Sequence, residues 1–295
     1  MNSTSKNTVV VVGNFEAGEI RAHAINTVKM AQGFSQNGYS VFLINKRGKR
    51  PAADQVLREL YGLADNIIFI QIPRRNWLGR KIKSELGYAK KVISQIKKIR
   101  PIFVYARDYL VPGLVANLGI PSCMESHVAP GDLSDSLVRA IEDSKADDFK
   151  TISTISPILR DNFINLGVQK EKVLVLPDAV DLDQFIPPRI LGDSPYKEKG
   201  LNITYTGHLY DYKGIPTILE TAKIHPQFNF HLVGGLDEDI IRHKKIAEKN
   251  ELNNVFFHGF VIQKNLPPYL WHADVLLLPP SANHPSAAWT SPVKL

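Results

Sequence analysis

The sequence predicts an α/β protein of two doubly wound domains, the second of them incomplete. Three observations carry this. From residue 8 to residue 185, runs rich in Val, Ile and Phe alternate with helix-periodic segments, which implies parallel strands with helices on both faces. Residues 186–200, IPPRILGDSPYKEKG, have no apolar period and are rich in Pro, Gly and charge, the composition of an interdomain linker. The alternation then resumes over residues 201–295, but yields four strands where such a domain normally has about five or six.

In the first domain, residues 1–185, strands are predicted at 8–12, 40–44, 66–72, 102–106, 122–125, 151–155 and 172–176. Helices fall between them, notably at 19–36, 78–99, 132–147 and 157–166. Ser156 followed by Pro157 reads as an N-cap with proline at the first helical position. In the second domain, strands are predicted at 203–206, 229–233, 255–258 and 274–278, with helices at 215–224, 238–248 and 267–272. The closing TSPVKL reads as the approach to another helix, so the chain is expected to be truncated. A truncated sheet exposes an unpaired edge and apolar surface, and weak stability is expected.

With 44% hydrophobic and 22% charged residues, 295 residues suffice for two soluble domains. Cys123 is the sole cysteine, so no internal disulfide can form, which fits a reducing compartment. MNSTSKN at the N-terminus is short and polar and is no signal peptide, and no apolar run approaches the ~18 residues of a membrane span. The expected location is cytoplasmic. Residues 73–100 hold ten Lys or Arg and one Glu, a net charge of +9, within a chain of net charge +7. Leu78, Ile82, Leu86, Ala89, Ile93 and Ile96 recur in that segment at spacings of three and four, the pattern of an amphipathic helix. Its basic face is either solvated or rests on anionic lipid, with Trp77 near the interface; the latter would place the protein peripherally on the inner face of a membrane. The patch continues nowhere else and carries no stacking motif, so nucleic acid is not an expected partner.

The most informative stretch is ITYTGHLYDYKGIPTILETA, residues 203–222. A β-branched and aromatic run breaks at Gly207, passes a polar turn with Lys213 and Gly214, and resumes as an apolar-periodic helix. Such a turn presents free backbone N–H groups at a helix start, and a nearby lysine makes it an anion site, most often for phosphate. Two doubly wound domains bring the C-terminal ends of their strands around one cleft, where ligands bind. The turn at Val12, Gly13 and Asn14 would face that cleft from the first domain. It lacks GxGxxG, which argues against a dinucleotide enzyme. The histidines show no metal-ligand spacing and no Asp-x-Asp occurs, so no metal is expected; no Gly-x-Ser-x-Gly nucleophile motif is present. The charges at 242–245 read as a solvated helix face.

These pieces, in order, resemble retaining glycosyltransferases of family 4, which have two Rossmann-like domains in the GT-B arrangement. The matching segments are TISTISPILRDNF and VLVLPDAVDLDQF within 151–185, YTGHLYDYKG (205–214), FHLVGG (230–235), VFFHGFV (255–261), ADVLLLPP (273–280) and TSPVKL (290–295). Looser matches are RAHAINTVKMAQGFSQNGYSV (21–41), VYARD (104–108) and MESH (124–127), so nearly the whole chain is covered. The resemblance implies transfer of a sugar, with retention, from a UDP- or GDP-linked donor to a glycan or lipid-linked acceptor in cell-envelope polysaccharide or glycolipid synthesis, without a metal or other cofactor.

It also implies roles. Lys213 would hold the donor diphosphate and stabilise the charge built up as it departs, and Gly207 would let the backbone approach the phosphates. His208 stands where many relatives carry Arg, a departure that replaces a full charge with a partial one. His127 would orient hydroxyls at the reaction centre, Arg107 would contact the acceptor or a phosphate, and Gly13 and Gly234 would be donor contacts. The backbone at Phe260 and Val261 would receive the nucleotide base, and Ser291 and Lys294 would offer groups to the diphosphate. The family's Glu-x7-Glu element is absent, its first position falling on Trp289, so this chain is expected to be a poor or inactive enzyme of that type. Two other readings remain open at this level. A nucleotide-sugar epimerase of the same architecture would need cleft carboxylates, for which Glu125 is the candidate, and a non-catalytic module would bind nucleotide-sugar or membrane without turnover.

Overall fold

The computed structural model describes residues 7–63, 67–73, 84–127, 134–284, 287 and 288. The chain divides into two compact units, Met1–Pro177 and Asp178–Leu295. In the first, the strands are β1 (Thr8–Glu16), β2 (Ser40–Lys46), β3 (Ile68–Ile72), β4 (Phe103–Arg107), β5 (Ser122–Ser126), β6 (Phe149–Thr154) and β7 (Val173–Val175). They pair in parallel in the order β3-β2-β1-β4-β5-β6-β7, so the strand order reverses beside β1. The helices are α1 (Ala22–Gln36), α2 (Asp54–Tyr61), α3 (Glu85–Ile99), α4 (Val111–Ala116), α5 (Asp135–Asp143) and α6 (Pro157–Asn165).

The run VVVV of β1 is buried on both faces, as parallel strands are. Val9 and Val11 pack with Val28 of α1 and Leu57 of α2, whereas Val10 and Val12 pack with Val92 and Ile96 of α3. Ser156 caps α6 as expected, its Oγ accepting the Leu159 N–H at 3.4 Å.

Several expectations are corrected. No turn occurs at residues 12–14: β1 runs on to Glu16, and the chain turns at Ala17 and Gly18, where φ is +86°. The cause is tertiary, because Phe15 is buried in the core and the Ala17 N–H bonds to the Lys46 carbonyl of β2 at 2.8 Å. Helix α1 starts at Ala22 rather than residue 19, since the Glu19 carboxylate is used to accept the Glu16 N–H. Helix α5 is shorter at both ends, its start set by Ser134, whose Oγ accepts the Leu137 N–H at 3.3 Å. Helices α2 and α4 were not read from the sequence. Helix α2 buries just Leu57 and Tyr61, and α4 is a short VPGLVA, buried at nearly every position and so without an apolar period. The predicted helix from residue 78 is observed from Glu85, capped by Ser84; residues 74–83, with Trp77, lie outside the described residues.

The second unit contains α7 (Leu182–Phe185), β8 (Asn202–Thr206), α8 (Ile215–Ile224), β9 (Asn229–Val233), α9 (Asp237–Lys249), β10 (Val255–Gly259), α10 (Pro267–Trp271) and β11 (Val275–Leu276). Among the described residues its sheet has four parallel strands in the order β10-β9-β8-β11. Tyr205, Phe230 and Leu232 face Ile215, Ile218 and Leu219 of α8. The opposite face is polar and aromatic. His231 is stacked between Tyr196 and Phe256, at 4.1 and 5.1 Å between ring centroids. Tyr196, within the stretch read as linker, is 6% exposed, and its hydroxyl reaches both Thr204 and the Tyr269 carbonyl. The Trp271 indole N–H likewise ties the Phe185 carbonyl of α7 to α10 at 2.8 Å. No described helix is long and apolar enough to cross a membrane.

Candidate functional site

In the second unit, the site is built by glycines at the C-terminal ends of three adjacent strands. Gly207 follows β8 with φ +133°, and its N–H bonds the Val233 carbonyl of β9 at 2.8 Å. Gly234 follows β9 with φ +116°; a Cβ there would strike the Gly207 carbonyl, and its N–H bonds the Gly259 carbonyl at 2.7 Å. Backbone therefore packs on backbone along this edge. Gly207 and Gly234 are thus brought together. Phe260 and Val261 follow Gly259 directly, Phe260 being 41% exposed.

From Gly207 the chain runs through a 3-10 turn, Asp211–Lys213, into α8. Gly214 joins them at φ +87° beneath the Pro279 carbonyl. The turn is fastened on several sides. The Tyr205 hydroxyl donates to the His208 carbonyl at 2.8 Å, and the Ser281 N–H to the Tyr212 carbonyl at 3.0 Å. Asp211 pairs with Arg242 of α9 at 3.0 Å and lies 3.4 Å from His243, whose Nε2 sits 2.8 Å from the Leu209 carbonyl. The charges at 242–245 are therefore more than a solvated face: Arg242 bridges Asp211 and Asp239, and His243 is 1% exposed. No local pattern signals this, because Asp211 and Arg242 are 31 residues apart.

Lys213 emerges from this turn with its Nζ 5.3 Å from the centroid of the Tyr212 ring. Among the described residues no carboxylate lies within ion-pair distance of it, and Asp211 is held instead by α9. Burial depresses the Lys213 pKa, since a desolvated ammonium without a counter-ion is less favourable than one in water. His208 stacks on Tyr210 at 5.1 Å, an arrangement that uses the ring's face. Ser291 and Lys294 lie outside the described residues.

In the first unit, the C-terminal strand edge beside the order reversal carries Gly13, Arg107 and, further along, His127. Gly13 pairs in register with Arg107; a Cβ at Gly13 would strike Phe15, and its carbonyl accepts the Tyr88 hydroxyl at 2.8 Å. The Asp108 carboxylate beside Arg107 accepts the N–H groups of Leu110 and Val111, each at 2.9 Å, and so caps α4. Burial raises the Asp108 pKa, against those two hydrogen bonds. His23, at the start of α1, lies 3.2 Å from Glu19 and within the field of Arg107; burial foremost, and then Arg107 and Arg21, lower its pKa. Sequence reasoning missed the Glu19 and His23 pair, whose one local sign is the i,i+4 spacing.

His127 follows β5, and its Nε2 bonds Glu125 Oε1. Their side chains are 11% and 4% exposed. A carboxylate can only accept, so in the neutral imidazole the proton sits on Nε2. Glu125 is thereby committed to orienting His127, and buries its charge beside Cys123, whose thiol is pushed up to about 12 by burial first and by Glu125 second. Among the described residues no group of three or more His, Cys, Asp or Glu is placed to hold a metal.

Comparison with known proteins agrees with this architecture. A family model described as Glycosyltransferase Family 4 matches residues 25–184, and one described as Glycosyl transferases group 1 matches residues 189–285. The chain belongs to glycosyltransferase family 4. Among curated relatives of this family member, an uncharacterized 41.2 kDa protein in the cps region of Klebsiella pneumoniae is 31% identical over 121 residues, covering 39% of this chain and 32% of its own. The alpha-galactosylglucosyldiacylglycerol synthase of Streptococcus pneumoniae is 24% identical over 135 residues, covering 42% of this chain and 36% of its own. The matched stretch thus spans about a third of each relative's length. Anabaena HepE, solved in complex with UDP, shares the fold with a TM-score of 0.67 at 16% identity, over 94% of this chain and 75% of that one. It follows that the two α/β units are the Rossmann-like pair of a GT-B glycosyltransferase.

Proposed function

We propose that this family 4 chain is a glycosyltransferase that takes a hexose from a nucleotide diphosphate, UDP- or GDP-linked, and passes it with retention to a glycan or lipid-linked acceptor in cell-envelope synthesis. The observation that carries this is Lys213, a half-buried cation without a carboxylate partner among the described residues, set where β8 turns through glycine into α8. The structure of HepE with UDP and the lipid-glycosylating activity named for the S. pneumoniae relative support the reading.

In this reading the donor's diphosphate gains charge as the sugar leaves. Lys213 and the positive end of the α8 dipole, at Ile215, stabilise that charge more in the transition state than in the ground state. Gly207, at φ +133°, turns the chain from β8 toward Lys213 without a side chain in the phosphates' way, and the backbone at Phe260 and Val261 takes the base. His127, its ring held by Glu125, orients a sugar hydroxyl at the reaction centre, while Arg107 holds the acceptor. A carboxylate buried and bonded to His127 is poorly placed as the mobile acid or base of an epimerase, which favours transfer.

Calorimetric titration with UDP, GDP and their sugar conjugates tests the reading beside Lys213→Ala. Loss of a charge-assisted phosphate contact should weaken binding about 10- to 100-fold. Equal affinity of the two proteins would refute the phosphate role.

Peripheral membrane binding is part of the same proposal. Lys90, Lys97, Lys98 and Arg100 are exposed on or next to α3. Sedimentation with vesicles containing anionic lipid is expected to carry the protein down at low salt and release it at about 0.5 M, where screening is strong. Equal sedimentation with neutral vesicles would overturn the electrostatic account.

A further inference from the structure

The side chains around Lys213 form a ladder of rings. His208 stacks on Tyr210 at 5.1 Å and 15°, Tyr210 on Tyr212 at 5.4 Å and 19°, and Tyr212 on His284 at 4.3 Å and 19°. Three of these rings come from alternate positions of the turn, and the fourth arrives from residues that follow β11. Tyr212 is therefore held by stacking on Tyr210 and His284 and, at its backbone carbonyl, by the Ser281 N–H. The Lys213 ammonium lies 5.3 Å from the centroid of this same ring.

We propose that Tyr212 is a positioning residue for the diphosphate contact: its ring, held by stacking on Tyr210 and His284, keeps the Lys213 ammonium in place for an incoming anion. The proposal rests on the phosphate role of Lys213 and deepens it. A lysine has four rotatable side-chain bonds, and ordering it on binding costs affinity. A cation over the face of an aromatic ring is attracted by the ring's quadrupole without being neutralised, unlike a cation paired with a carboxylate. The turn's own acid, Asp211, is drawn off by Arg242 and His243, so ring attraction is what restrains Lys213 while leaving its charge available. The ring requirement is aromatic and not hydroxyl-dependent, so phenylalanine should serve and an aliphatic residue should not.

The test is titration of the protein with UDP in four variants, Tyr212→Phe, Tyr212→Leu, Lys213→Ala and the Tyr212→Leu/Lys213→Ala double variant. Expected are an affinity within about twofold of wild type for Tyr212→Phe, and a loss of about fivefold for Tyr212→Leu. That loss should vanish in the Lys213→Ala background, because a residue that acts through Lys213 has nothing left to position. A Tyr212→Leu loss that persists in the double variant would show that the ring acts structurally and would overturn the inference. Wild-type affinity for Tyr212→Leu with weak binding by Lys213→Ala would also overturn it, but would leave the phosphate reading intact. Wild-type affinity for Lys213→Ala would remove both. A measurement on the unaltered protein guards against misfolding of the leucine variant: the Lys213 side-chain methylene protons should resonate upfield of ordinary lysines through the Tyr212 ring current, and ordinary shifts would overturn the contact.

Discussion

Gly214→Ala is expected to destabilise the second unit by about 3 kcal/mol, and to abolish measurable UDP binding in the fraction that stays folded. Two costs add. The φ of +87° places Gly214 in the left-handed region, where a side chain costs roughly 1–2 kcal/mol. The new Cβ would also meet the carbonyl of Pro279, a backbone atom that cannot swing aside, and overpacking of that kind costs about 1–3 kcal/mol. Gly259 separates the two. Its φ is +73°, but a Cβ there would meet nothing within 4 Å, so Gly259→Ala should carry the backbone cost alone. Thermal melts of both variants check this. A loss at Gly214 no larger than at Gly259 would show that the Pro279 contact yields easily. The effect reaches function because Lys213 precedes Gly214, and any shift of the turn moves the ammonium.

Acidification should weaken the second unit strongly between about pH 6.5 and pH 4. His231 is fully buried, and its pKa is lowered to about 4, by burial first and then by His258. Burial also lowers the His258 pKa. The hydrogen bonds explain why the neutral form is required. His231 Nε2 lies 3.0 Å from Asn202 Oδ1, which accepts, so His231 Nδ1 is itself an acceptor for His258 Nε2–H at 3.0 Å. In the unfolded chain both histidines titrate near 6.5. The unfolded state therefore binds more protons within this window, and stability rises with pH. The His231 contribution is complete above about pH 6.5 and is lost as pH falls through about 4, amounting to about 3 kcal/mol at most. Urea unfolding of wild type and His231→Gln from pH 7.5 to 4.5 checks it, because other groups titrate in both. The wild-type curve should fall more steeply, and parallel curves would refute the assignment.

Much of the architecture was legible in the sequence because it is encoded locally. Apolar, β-branched runs marked the strands of both sheets, and Ser156 with Pro157 marked the start of α6. Gly207 and Gly214, at the end of a β-branched run and the start of an apolar-periodic helix, marked the turn between β8 and α8, since few other residues can adopt those backbone angles. The ordered motifs placed the chain in its family.

What the tertiary structure alone decided lies in pairings between distant residues. Buried Phe15 and the Ala17 bond to β2 carry β1 past Gly13 and move the turn to Gly18. Glu125 and His127 are near neighbours, two residues apart, and what packing adds there is their burial, at 4% and 11% exposure. Asp211 is withdrawn from Lys213 by α9, and Tyr212 is clamped by His284, across separations that no local window spans. Backbone preference acts within a few residues and can be read from them. Whether a charge is paired, or a ring is stacked on a distant neighbour, is a property of packing, and it decides how the charge on Lys213 is presented.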